Sequence, residues 1–150
     1  MSRLLHLAGA EDRDRLLPLV AAFHAEIGQA NDPAEQAEAV DPLLEGSPHG
    51  AIWLIGPRRA PVGYVSISFG WSVAAGGLDG RVDALFIREK VRGRGMATEA
   101  LNALAMALRE NGIKALNLDV EAENEIAFKL YRRCGFRKRE SSIHMARTLR

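Results

Sequence analysis

A chain of 150 residues, 47% hydrophobic and 26% charged, has the size and balance of one domain with room for a core. Its formal net charge of +1 argues against a general nucleic-acid binder and leaves charge to act through local patches. One cysteine, Cys134, excludes an internal disulfide and a multi-cysteine metal site, and the four histidines lack metal-ligand spacing.

The opening MSRLLHLAGAEDR has no long apolar run, so neither a leader nor a membrane anchor is expected, and the address is cytoplasmic. Residues 2–8, from Ser2 to Ala8, predict a short strand. Residues 11–27 predict a helix with Leu16, Val20, Phe23 and Ile27 on one face, stopped at Gly28. His24 and Glu26, near its end, read as solvent-facing. Asp32 and Pro33 open a second, more polar helix to about Glu45, which Pro42 bends or divides. Residues 51–55 and 61–69 predict an antiparallel hairpin across Gly56-Pro57-Arg58-Arg59, and the glycine-rich residues 71–80 predict a loop.

Residues 82–87, VDALFI, form an apolar run of strand formers, followed by the basic, glycine-punctuated turn at residues 92–97, RGRGMA. Ala97, Leu101, Leu104 and Leu108 then recur at helical spacing until Asn111-Gly112. In residues 115–121, Leu116, Leu118 and Val120 alternate with Asn117, Asp119 and Glu121, as in a strand with one buried face. Asn124 is placed to cap a last helix with Ala127, Leu130, Tyr131 and Cys134 inward and Gly135 at its stop. Residues 137–148 predict one or two closing strands. The strand, helix, strand, helix order between Val82 and Gly135 implies a parallel crossover. The expected fold is therefore α/β, with a mixed, mostly antiparallel sheet containing one parallel pair, flanked by helices, in a single domain over residues 1–150.

A strand running through a glycine turn into a helix makes an anion site, because the first helical N–H groups lack internal partners and carry the positive end of the peptide dipoles. Gly93 and Gly95 let backbone approach a ligand, and Arg92 and Arg94 add donors suited to phosphate. A dinucleotide fingerprint fails at Thr98, where a third small residue is needed, and no G-K-[ST] follows for a Walker loop. The remaining template is arginine or glutamine, two residues, glycine, one residue, then glycine or alanine. Arg92, Gly95 and Ala97 match it.

Together with LDVEAENEIAFKLYRRCGF at residues 118–136, this turn resembles the GNAT superfamily of acyl-CoA-dependent N-acyltransferases. The spacing of Asn124, Ala127, Leu130-Tyr131 and Gly135-Phe136 is that family's second half. The resemblance implies acetyl-CoA as donor and a parallel strand pair forming the wedge that receives it. It implies that backbone groups of Leu85, Phe86 and Ile87 bind the pantetheine and acetyl end, and that Arg92, Gly93, Arg94, Gly95, Met96 and Ala97 wrap the pyrophosphate. Asn124 would contact the cofactor, and Tyr131 would protonate the departing thiolate. For the base, Asp83 and Asp119 each match a position where relatives carry glutamate; Asp83 is preferred. Taken singly, Asn124 also reads as a helix cap, Tyr131 as an aromatic core residue, and Cys134 as an inert one.

The expected function is direct acetyl transfer to a primary amine of a small molecule or peptide, with no metal, nucleic acid or membrane partner and with homodimerisation carried over from the family. A non-catalytic acyl-CoA-binding or sensing module is the alternative; it would keep the phosphate turn without needing Tyr131 or a carboxylate.

Overall fold

The computed structural model describes residues 3–29 and 32–150. Ser2, predicted to open the first strand, lies outside them. Five strands form one sheet in the order β1 (Leu5–Leu7), β2 (Gly50–Ile55), β3 (Gly63–Ser72), β4 (Gly77–Ile87) and β5 (Ala115–Asn117). Neighbours from β1 to β4 are antiparallel, and β4 and β5 are parallel, so the expected mixed sheet is present. The helices are α1 (Arg13–Glu26), α2 (Pro33–Leu44), α3 (Met96–Glu110) and α4 (Glu125–Arg133).

The sheet carries apolar side chains on both faces. Leu16, Leu19 and Val20 of α1 and Val40 and Leu44 of α2 bury against Leu54, Tyr64 and Phe86. On the other face Ala100, Leu104 and Leu108 of α3 bury against Ile55, Val65, Ile67 and Val82. The helical spacing of these leucines is what selects that face. Asp32 starts α2 by accepting the N–H of Ala34 at 2.9 Å, with Pro33 at the first helical position where no N–H is needed. Pro42 falls in the last turns, and α2 runs on to Leu44 undivided.

One buried charge ties the first face together. Asp12, fully buried, accepts the N–H of Gly9 at 2.9 Å, Nη2 of Arg15 at 2.6 Å and Nη2 of Arg58 at 3.0 Å. Burial pushes its carboxyl up, but the hydrogen bonds from Arg58, Gly9 and Arg15 outweigh that and hold it at about 2. The turn after β2 is thereby fastened to the start of α1.

Three expectations need correction. Residues 71–80 are not a loop: β3 continues to Ser72 and β4 begins at Gly77, leaving a four-residue turn at 73–76. Gly80 sits inside β4 because a Cβ there would lie 3.2 Å from both Ile67 and Leu116, so it marks close packing rather than a break. The strand expected over residues 115–121 stops at Asn117, and residues 137–148 form no strand. Alternating apolar residues become a strand only where an edge supplies hydrogen bonds, and three residues of β5 are a short edge.

Candidate functional site

The site begins with an irregularity in β4. Its register against β3 steps from Ser66 opposite Ala84 to Ile67 opposite Val82, so Asp83 is the extra residue of a β-bulge. The bulge re-aims the strand: Val82 packs toward α3, whereas Ala84 and Phe86 pack toward α1. Asp83 itself is exposed. Just before the bulge β5 is still paired, through Asp79, Gly80 and Arg81, and beyond Arg81 the two parallel strands part.

That parting leaves one edge of β4 without a strand neighbour. The N–H of Arg88 donates to the carbonyl of Val62 at 2.8 Å. By strand alternation Phe86 also faces β3, and Leu85 and Ile87 turn their N–H and C=O groups to the free edge. The Ile87 carbonyl there accepts Nε of Arg92 at 2.7 Å. Of the three residues expected to offer backbone groups, Leu85 turns its N–H and C=O, and Ile87 its N–H, to this edge, whereas Phe86 is committed to β3 and the α1 core.

The turn after β4 contains a single 3-10 turn, Glu89–Val91, and then Gly93 and Gly95 at φ 77° and 78°. A Cβ at either would meet nothing within 4 Å, so the left-handed backbone, not crowding, requires glycine. α3 starts at Met96 with no side-chain cap, and among the described residues no hydrogen bond is donated by the backbone N–H groups of 93–98. Met96 and Ala97 anchor the helix start by packing on the α3-side core. These N–H groups are free to meet an anion.

Arg92 is not. Its Nη1 and Nη2 donate to Oε1 and Oε2 of Glu26 at 2.7 and 2.8 Å, and its guanidinium lies 5.6 Å over the Phe86 ring. The sequence reading made Arg92 a phosphate donor and Glu26 a solvent-facing residue; the structure pairs them. No sequence signal joins residues so far apart in the chain.

Beside β5 a cavity of about 1310 Å³ is lined by Arg81 of β4 and by Asn117, Asp119, Phe128, Tyr131 and Phe136, among others. Tyr131 packs edge-to-face on Phe136 with centroids 5.8 Å apart, and burial, with a smaller contribution from Cys134, pushes its phenol up. Asp119 is ion-paired with Arg81 and lies 3.6 Å from Nδ1 of His144. Arg81, which the sequence did not single out, thus ties β4 to the segment that follows β5. Asp83 does not line this cavity, although it sits two residues beyond Arg81. Asn124 caps α4, its Oδ1 accepting the N–H of Ala127 at 3.1 Å. Burial also pushes the Cys134 thiol up, which opposes a nucleophilic role. Among the described residues no cluster of metal-ligating side chains occurs, and no helix is long and apolar enough to cross a membrane.

The sequence model of the Acetyltransferase (GNAT) family matches residues 17–136. Over 61 residues the chain is 44% identical to an uncharacterized N-acetyltransferase, YycN, of Bacillus subtilis (strain 168), a match spanning 41% of this chain and 38% of that protein. The integron cassette protein HFX_CASS3, from the mobile metagenome of Cole Harbour Salt Marsh, superposes with a TM-score of 0.86 at 28% identity over 98% of this chain and 91% of that one. The aminoglycoside acetyltransferase meta-AAC0020, from an uncultured soil metagenomic sample, superposes with a TM-score of 0.82 over 97% and 95% of the two chains; at 15% identity this is a likeness of fold.

Proposed function

We propose that this chain, which belongs to the GNAT acetyltransferase family, moves an acetyl group from acetyl-CoA directly onto a primary amine of a small molecule or peptide. The observation that carries the reading is the free edge of β4 running into a turn of unpaired amides. The N–H and C=O of Leu85 and the N–H of Ile87 suit an extended amide chain such as pantetheine, which adds to a sheet edge by main-chain hydrogen bonds. The amides of residues 93–98, with exposed Arg94, suit the diphosphate. Asn124 keeps its amide NH₂ for a further polar contact, since its cap uses only Oδ1.

Acetyl-CoA supplies a thioester carbonyl and a thiolate leaving group. The protein's part is to position these and to move two protons. An amine of pKa about 10.4 costs roughly 4.6 kcal/mol to deprotonate at pH 7, so a base is needed. Asp83 suits this role, through an intervening water, because it is exposed on the bulge, whereas one oxygen of Asp119 is already matched to Arg81. Tyr131, kept protonated by its raised pKa, donates to the thiolate, and the N–H groups of Leu85 and Ile87 polarise the carbonyl as charge develops on its oxygen.

The test is acetyl-CoA-dependent thiol release across a panel of polyamines, amino acids, aminoglycosides and peptides. Release with at least one amine is expected. Stabilisation by coenzyme A without release for any amine would instead favour a binding or sensing module. Homodimerisation and a cytoplasmic address belong to the same reading; light scattering checks the first.

A further inference from the structure

Arg92 has all three of its guanidinium nitrogens engaged inside the protein. Two grip the carboxylate of Glu26 at the last residue of α1, at 2.7 and 2.8 Å, and the third bonds the Ile87 carbonyl at the end of β4, at 2.7 Å. Its face rests on Phe86, which packs in turn on Phe23 of α1 with ring centroids 5.9 Å apart. The arginine that the sequence assigns to phosphate is therefore a brace between three pieces of backbone: the end of α1, the end of the free strand edge, and the glycine turn.

We propose that Glu26 is a positioning residue for the coenzyme A turn. Its carboxylate holds Arg92 in the one pose that fixes where the chain leaves β4, and hence where the amides of residues 93–98 converge. The inference rests on the function proposed above and goes beyond it by giving α1 a part in binding the donor.

A two-point fork is geometrically specific. The side chains of Arg92 and Glu26 are 41% and 44% exposed, and a pair this open to water contributes little to stability. Without the carboxylate, Arg92 is released toward solvent, and the turn, whose two glycines give it no side-chain stiffness, loses its fixed exit from the strand. A displacement of about 1 Å in such a support costs on the order of tenfold to a hundredfold in function. The proposal thus separates binding from stability, which a plain surface ion pair does not.

The experiment measures the Kd for coenzyme A by titration calorimetry, and the Tm without ligand, for the wild type, Glu26→Gln and Glu26→Ala. Glu26→Gln keeps the side chain's size and removes its charge. The expected result is a Kd raised at least tenfold in Glu26→Ala, less in Glu26→Gln, with the unliganded Tm of both within about 2 °C of wild type. Wild-type Kd values in both variants would overturn the positioning role and leave the proposed function standing. A Tm that falls in step with affinity would overturn it too, by making the pair a structural prop. Wild-type protein that fails to bind coenzyme A would remove the functional reading on which this one rests.

Discussion

In the proposed reaction the two proton transfers fall to Tyr131 and Asp83, and the surroundings of these side chains differ. Burial raises the phenol's pKa and keeps it a donor, whereas Asp83 stands exposed on the bulge of β4. Tyr131→Phe is expected to slow thiol release about 10²- to 10⁴-fold at saturating donor while coenzyme A affinity stays within about threefold. In a pair of steady-state assays, Asp83→Asn should lower kcat/KM about 10²-fold, and Asp119→Asn less than tenfold, because the latter carboxylate already serves Arg81. The reverse order of these two losses would move the base to the cavity beside Tyr131. The sequence offers both acids only through positions where relatives carry glutamate, and Asp119 lies past the end of β5. What separates them, a bulge in one strand and an ion pair across the fork, depends on register and neighbours that a single sequence does not display.

At the scale of elements, the turn and the buried carboxylate each make a prediction. Gly95 holds φ 78° at the start of α3, a conformation that costs an L-residue about 1–2 kcal/mol. Gly95→Ala is expected to lower stability by about 1 kcal/mol in denaturant titration and to weaken coenzyme A binding at least tenfold, since relaxing the strain moves the amides. Asp12 is expected to contribute to stability in acid. Because folding lowers its pKa to about 2, its stabilisation is complete above the free value near 3.9 and is lost as pH falls through 2. Asp12→Asn should remove roughly 2 kcal/mol at pH 7 and flatten the decline in Tm between about pH 4 and pH 2. An unchanged acid limb would show that Arg15 and Arg58 hold other partners.

Legibility followed the physics of each element. α3 was readable because helical periodicity needs only one apolar face, and Leu101, Leu104 and Leu108 supply it. β4 was read too short because Gly76, Gly77 and Gly80 look like loop residues, although only the first two lie at a turn. β5 was read too long because alternation continues through Leu118 and Val120, where β4 has already turned away. The residues past Phe136 carry Ile143, Met145 and Leu149 in strand-like spacing, yet all three are exposed, at 86–88%. Their pattern gives no hydrogen-bonding edge.

Across the whole molecule, the sheet's parallel pair parts after Arg81 and Asn117 and exposes backbone that leads into the glycine turn. On one face α1 braces that turn through the pair of Glu26 with Arg92, and α4 brings Tyr131 to the cavity beside β5. The fold class was legible because the order of elements sets it; the position of the fork was not, because it depends on one extra residue in β4. The most direct test compares coenzyme A with pantetheine, which lacks the diphosphate, by titration calorimetry on the wild-type protein. The amides of residues 93–98 should make coenzyme A bind on the order of a hundredfold more tightly, equivalent to about two charge-assisted contacts of 1.4 kcal/mol each. Equal affinity for the two compounds would contradict the assignment of the diphosphate to that turn.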